Sequence, residues 1–152
     1  MPQITRKLEF DAGHRVLGHE SKCKHIHGHR YVAEVTVEAK ELDSISRVVD
    51  FSVVKTLVGG WIDEYWDHNL ILNENDPLVM EANKQPIEST EHYLKRIVGR
   101  LPYLIPNLEN PTAEVMAKIL FHKAQELLPN LAVTHVRLYE TPACWADHYK
   151  EQ

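Results

Sequence analysis

Residues 29–40 alternate between two environments, and this alternation constrains the fold more than any other feature. Tyr31, Ala33, Val35, Val37 and Ala39 share one parity, while Glu34, Thr36 and Glu38 take the other. Side chains of an extended strand point to opposite faces in turn, so the segment reads as a strand with one buried face. Such a strand needs partners. Residues 3–12 supply one, with Leu8, Phe10 and Ala12 on a common parity. Residues 133–140 supply another, with Val136, Leu138 and Glu140 together, and about 143–149 reads as a short fourth. Between these strands the spacing is helical. Phe51, Val54, Leu57/Val58, Trp61 and Tyr65 recur every three or four residues, predicting a helix over about 52–65. A second helix begins at Asn110-Pro111-Thr112, where a polar cap and an early proline coincide. Its stripe runs through Val115/Met116, Ile119/Leu120, Lys123/Ala124 and Leu127, and Pro129 stops it. A weaker helix over about 89–101 falls within residues 74–109. Strands at both ends with helices between them predict an α+β domain: a four-stranded antiparallel sheet with helices on one face.

The chain of 152 residues has no repeat, low-complexity tract or Gly/Ser linker, so residues 1–152 are read as a single domain. Its 43% hydrophobic and 26% charged content excludes wholesale disorder. No apolar run approaches the roughly 18 residues of a membrane span, and MPQITRKLEF has no signal-peptide core. A formal net charge of −5 without a basic stripe argues against nucleic-acid binding. Only Cys23 and Cys144 occur, which disfavours a disulfide framework and fits a reducing cytoplasm.

Ten histidines are many for this length, and three of them lie in Cys23-Lys-His25-Ile-His27-Gly-His29. On a strand, His27 and His29 point the same way and can reach one metal ion. His25 shares their parity, but each two-residue step advances roughly 6.6 Å, so His25 and His29 sit about 13 Å apart. Metal–nitrogen bonds of about 2.0–2.1 Å cannot span that distance. A third ligand must come from elsewhere. His14, on the parity of Phe10 and Ala12, is the first choice and His19 the second. The bland alternative is a pair of polar residues on a solvated face. Gly28 and the nearby Cys23 favour a site. Three histidines with an open position suit catalytic zinc, since structural zinc usually takes four protein ligands.

Six segments in order, covering most of the chain outside 74–109, resemble the 6-pyruvoyl-tetrahydropterin synthase / 6-carboxy-tetrahydropterin synthase family. They are Phe10-Asp-Ala-Gly-His14-Arg15, Cys23-x-x-x-His27-Gly28-His29, Val49-Asp50-Phe51, Asp67-His68-Asn69-Leu70, Asn110-Pro111-Thr112-Ala113-Glu114 and Tyr139-Glu140-Thr141. The resemblance implies a tunnelling fold (T-fold), with two strand pairs flanking two helices, assembled as trimers or hexamers. It implies Zn2+ held by His14, His27 and His29, and Cys23 as general base. Asp67 and His68 would be the partner pair, and Glu140 would anchor the pterin and join the proton relay. Thr112 and Glu114 would line the pterin pocket, although both are equally explained as helix-start residues. His92, His122, His135, His148 and Cys144 receive no role.

Three residues separate Cys23 from His27, a spacing that resembles the bacterial 6-carboxy branch of queuosine (7-deazaguanine) biosynthesis. The expected reaction is conversion of 7,8-dihydroneopterin triphosphate to 6-carboxy-5,6,7,8-tetrahydropterin, releasing acetaldehyde and triphosphate. Alternatives are pyruvoyl-type triphosphate elimination and a zinc-containing oligomer that binds a pterin or purine without turnover. The departure from the family is 74–109, an insert about thirty residues longer than the compact members' connection, and such lengths are usually functional or disordered. Arg15, Lys22, Lys24 and Arg30 are the candidates to meet the triphosphate.

Overall fold

A computed structural model describes residues 1–152. The two longest strands, β1 (Gln3–His14) and β2 (His27–Glu38), pair antiparallel from Gln3↔Glu38 to His14↔His27. Helix α1 then spans three abutting segments, α-helical Phe51–Val54, π-helical Lys55–Gly59 and α-helical Gly60–Tyr65. It is followed by β3 (Asn69–Asn73), α2 (Pro77–Asn83), α3 (Thr90–Val98) and β4 (Tyr103–Ile105). Helix α4 (Ala113–Leu127) leads to β5 (Ala132–Thr141) and β6 (Cys144–Tyr149). No helix is long and apolar enough to cross a membrane.

The α+β class holds, but the sheet is larger than expected. Six strands lie in the order β4-β3-β1-β2-β5-β6, and β3 runs parallel to both β1 and β4. Both extra strands belong to a stretch too short for a periodic pattern. Leu70, Ile71 and Leu72 form a continuous apolar run, and β4 has three residues between Pro102 and Pro106. The insert is likewise two helices and a strand rather than one helix. Gly99, at φ 98, ends α3 in the left-handed conformation that glycine adopts freely.

Parity placed the core correctly on the long strands. Phe10, Tyr31, Ala33, Val35, Val37, Val136 and Leu138 are fully buried against the helices. The predicted stripe of α1 is out of phase. Val54, Val58, Ile62 and Trp66 are buried, whereas Phe51, Leu57 and Tyr65 are exposed. Those four buried residues repeat every four positions, longer than the 3.6 of an α-helix, and the π turn supplies the extra residue that keeps them on one side. Gly59 in that turn lets the helix approach β1: a Cβ there would meet Leu8 Cδ2 at 3.3 Å.

Besides the outer side of the short β4, two longer edges stay open. β1 meets β3 only through Ala12–His14, so residues 3–11 have no strand on that side, and β6 has no outer neighbour.

Candidate metal centre and active site

The β1–β2 register places His14 opposite His27 and Ala12 opposite His29, with all three imidazoles on the buried face. Their ligand atoms lie within 4.8 Å of one another. His14 is the deepest, 1% exposed. Gly28 keeps the hairpin tight between the two β2 ligands, since a Cβ there would stand 3.3 Å from the Ala12 carbonyl oxygen.

The hydrogen bonds around the rings determine what the site can hold. His14 Nδ1 donates to the Pro111 carbonyl at 2.6 Å, and His27 Nδ1 donates to the His25 carbonyl at 2.6 Å. A carbonyl can only accept, so both ring protons sit on Nδ1 and both Nε2 atoms present lone pairs. Those two Nε2 atoms face each other at 3.1 Å. His29 Nε2 is buried without a hydrogen-bond partner. Burial pushes the His14 pKa down to about 4, and burial also lowers that of His29, against the pull of Glu140. The His14 and His29 rings are therefore neutral near pH 7. Neutral lone pairs converging in a buried site repel unless a cation sits among them, and backbone carbonyls that fix the tautomer are a recurring support for ligating histidines. The donor set fits a divalent ion of zinc type, with a coordination position left open. His25 contributes its carbonyl rather than its ring, and His19 does not join the group: its Nδ1 accepts from the Ser21 amide.

Glu140 stands beside the cluster, its Oε1 3.4 Å from His14 Nε2 and 3.8 Å from His29 Nε2. Tyr31 closes the floor, stacked on Phe10 at 4.9 Å with its ring edge-on to His14 and His29. Its hydroxyl is buried without a partner, and its pKa is raised by burial, by Glu140 and by Cys23. Cys23 sits in a short 3-10 turn (Lys22–Lys24), half-buried and free, and its carbonyl accepts from the Val16 amide at 2.8 Å.

Asp67 and His68 pair as expected, His68 Nδ1 to Asp67 Oδ2 at 2.9 Å, but on the other face of the sheet. Asp67 Oδ1 accepts from the Asp11 amide at 3.0 Å, and the His68 amide donates to the Asp11 carbonyl. Asp11 and Arg30 are exposed residues that form an ion pair on the side away from Phe10 and His14. Burial opposes ionisation of Asp67, but the Asp11 amide, His68 and Arg30 outweigh it, so its pKa is lowered. The His68 side chain is 75% exposed. Its backbone, at φ 55, is left-handed. Arg100, from the insert, steadies this turn by donating to the Asp67 carbonyl at 2.9 Å.

Thr112 caps α4, its hydroxyl accepting from the Val115 amide at 3.3 Å, and Glu114 is exposed in the first turn. Both are where a helix start wants them. The neighbouring Pro111, readable in the sequence as a helix-start proline, orients His14 through its carbonyl, a role that spacing does not reveal. Of the basic candidates, Arg15 is already engaged with buried Asp76, and Arg30 pairs with Glu9 and Asp11.

Comparison with known proteins identifies the family. A family model described as 6-pyruvoyl tetrahydropterin synthase matches residues 3–151. The chain belongs to that family, whose members are lyase-type enzymes with the T-fold architecture. It is 42% identical to the 6-carboxy-5,6,7,8-tetrahydropterin synthase of Rickettsia bellii, over 97% of this chain and 99% of the relative. The enzyme of the same name from Aquifex aeolicus is 32% identical, over 99% and 98%. Among solved structures, an uncharacterized protein from Wolinella succinogenes superposes with a TM-score of 0.79 at 25% identity, covering 99% of this chain and 98% of that one. The Caenorhabditis elegans 6-pyruvoyl tetrahydropterin synthase, at 20% identity and a TM-score of 0.64 over 99% and 98%, shares the fold.

Proposed function

We propose that the protein converts 7,8-dihydroneopterin triphosphate and one water molecule to 6-carboxy-5,6,7,8-tetrahydropterin, acetaldehyde and triphosphate, in a zinc-dependent step of 7-deazaguanine (queuosine) biosynthesis in the cytoplasm. The observation that carries this reading is the convergence of three imidazole lone pairs beside Glu140, with Cys23 in the turn that precedes His27. The names of the relatives supply the substrate class.

Held by His14, His27 and His29, zinc would supply Lewis acidity to the hydroxyl oxygens of the substrate side chain. Cys23 takes a proton from a side-chain carbon as thiolate. Glu140, at the edge of the cluster, accepts hydrogen bonds from the pterin ring N–H groups and holds the ring against the open side of the site. Thr112 and Glu114 complete the pocket at the start of α4. Positioned acid–base groups of this kind contribute about 10²–10⁴ in rate.

Asp67 and His68 face away from the thiol within one chain, so they serve the site of a neighbouring subunit. The open edges favour such an assembly: β6 of one chain can pair with residues 3–11 of the next, closing a trimeric barrel that removes both edges. Trp145 and Tyr149 on β6, both exposed in the single chain, support a role for this edge in contact. Two trimers would stack to a hexamer.

Anaerobic incubation with dihydroneopterin triphosphate followed by mass analysis tests the reaction. Equal amounts of acetaldehyde and 6-carboxytetrahydropterin are expected. Triphosphate release with the side chain retained would indicate the pyruvoyl-type reaction instead, and an unchanged substrate would sink both.

A further inference from the structure

The insert reaches the active site through its two ends. Beyond His14 the chain leaves the sheet through Arg15, Val16 and Leu17 towards Cys23, and all three residues are held. Arg15 Nε donates to Asp76 Oδ2 at 2.6 Å, and Arg15 Nη2 meets Asp76 Oδ1. Asp76 is fully buried, and its Oδ1 also accepts from the Leu78 amide at 2.9 Å, so one carboxylate caps α2 and receives the guanidinium. Leu17 is gripped at both backbone groups by Asn110: its amide donates to Oδ1 at 3.1 Å, and Asn110 Nδ2 donates to its carbonyl at 2.9 Å. Asn73 locks this fork by donating to Asn110 Oδ1 at 3.1 Å and to the Leu108 carbonyl at 3.1 Å. Between the two clamped residues, the Val16 amide carries the Cys23 carbonyl at 2.8 Å.

From this geometry we infer that Asp76, Asn73 and Asn110 are positioning residues: they hold the Arg15–Leu17 segment and, through the Val16 amide, the turn that carries Cys23. The inference rests on Cys23 being the proton-transferring group of the proposed reaction. Asp76 and Asn73 stand at the entrance of the insert and Asn110 at its exit, next to the Pro111 carbonyl that orients His14. The insert therefore spans the thiol and the deepest ligand with one set of anchors. Residues 15–26 have no regular structure beyond the turn at Lys22–Lys24, and depend on such anchors for a fixed course. The same ion pair removes Arg15 from the residues free to bind triphosphate.

Asp76→Asn is the first test, because asparagine still caps α2 while the guanidinium loses its bidentate carboxylate. Three readouts apply: the rate of Cys23 alkylation by iodoacetamide with Cys144 as internal standard, the bound metal, and kcat against KM. A displaced thiol should lower kcat by about 10–100-fold, since misplacement of about 1 Å has that effect. KM should move by less than about threefold and the metal content not at all, because uniform binding and the ligands are untouched. Cys23 alkylation should change several-fold while Cys144 does not. Arg15→Lys, which keeps the charge without the fork, should lie between wild type and Asp76→Asn. Wild-type kcat and wild-type Cys23 alkylation in folded Asp76→Asn would overturn the inference. Should Asp76→Asn fail to fold, Asn110→Ser releases Leu17 without leaving a buried charge, and the same readouts decide. If the wild type does not turn over the pterin, the proposed reaction fails, and the alkylation rates, which need no substrate, still decide the clamp.

Discussion

The two faces of the β1–β2 pair carry opposite chemistry from interleaved residues. On the inner face, His14, His27, His29 and Tyr31 are packed with Phe10 and Ala12, and burial keeps His14 and His29 neutral. On the outer face, Asp11, Arg30 and the Asp67–His68 pair are charged or exposed and satisfied by one another. A strand's period of two separates these sets with no sequence distance between them: His29 and Arg30 are neighbours in the chain and belong to different environments. The inner face has the donor set for a cation, and the outer face is where the proposed assembly would bring another subunit.

The largest expected effects test whether the two faces cooperate across chains. Cys23→Ala and His68→Ala should each lower kcat by about 10²–10⁴ while retaining the metal. Mixing the two inactive variants under conditions of subunit exchange should restore activity. In a closed ring, about a quarter of sites then draw an intact thiol and an intact imidazole from different chains. Activity that stays at the level of the separate variants would place both groups in one chain's site.

A smaller effect concerns the acid limb of stability. The pKa of Asp67 is lowered in the fold, so its contribution is complete above the ordinary carboxylate value of about 3.9 and is lost as pH falls through the folded value. Asp67→Asn should lower the unfolding free energy modestly at pH 7, by less than about 1 kcal/mol for a partly exposed pair, read by denaturant unfolding. That deficit should shrink as the pH drops below about 4. A deficit independent of pH would mean that the carboxylate charge does not matter.

The smallest effect is expected at the floor of the site. Tyr31→Phe removes a buried hydroxyl that has no partner, and such a deletion should leave stability unchanged or raise it by about 1 kcal/mol, because the unmet group carries a desolvation penalty. Thermal denaturation of the metal-free protein checks this, and a clear loss would reveal a partner.

The inner face was legible in the sequence and the outer one was not, for a physical reason. Alternation in residues 29–40 and the parity of Phe10, Ala12 and His14 fix which side chains share a face, so the imidazole trio and Glu140 follow from counting. The position of Asp67–His68 depends on β3 running parallel beside the end of β1, and a short apolar strand such as Leu70-Ile71-Leu72 has no alternation to announce it. The family resemblance gave the pair without its face. Asp76 had a readable signal: Asp76-Pro77 is a helix-start signature of the kind recognised at residues 110–112. What could not be read was the partner, because Arg15 is 61 residues away and only the folded insert brings the two together.

The central claim is that three lone pairs converge on a cation, and metal analysis after exhaustive dialysis against zinc-buffered solution tests it most directly. The account predicts one zinc per wild-type chain, stoichiometric loss in His14→Ala, His27→Ala and His29→Ala, and full retention in His25→Ala and His19→Ala. Full occupancy in His27→Ala, or a metal-free wild type that is fully active, would contradict it.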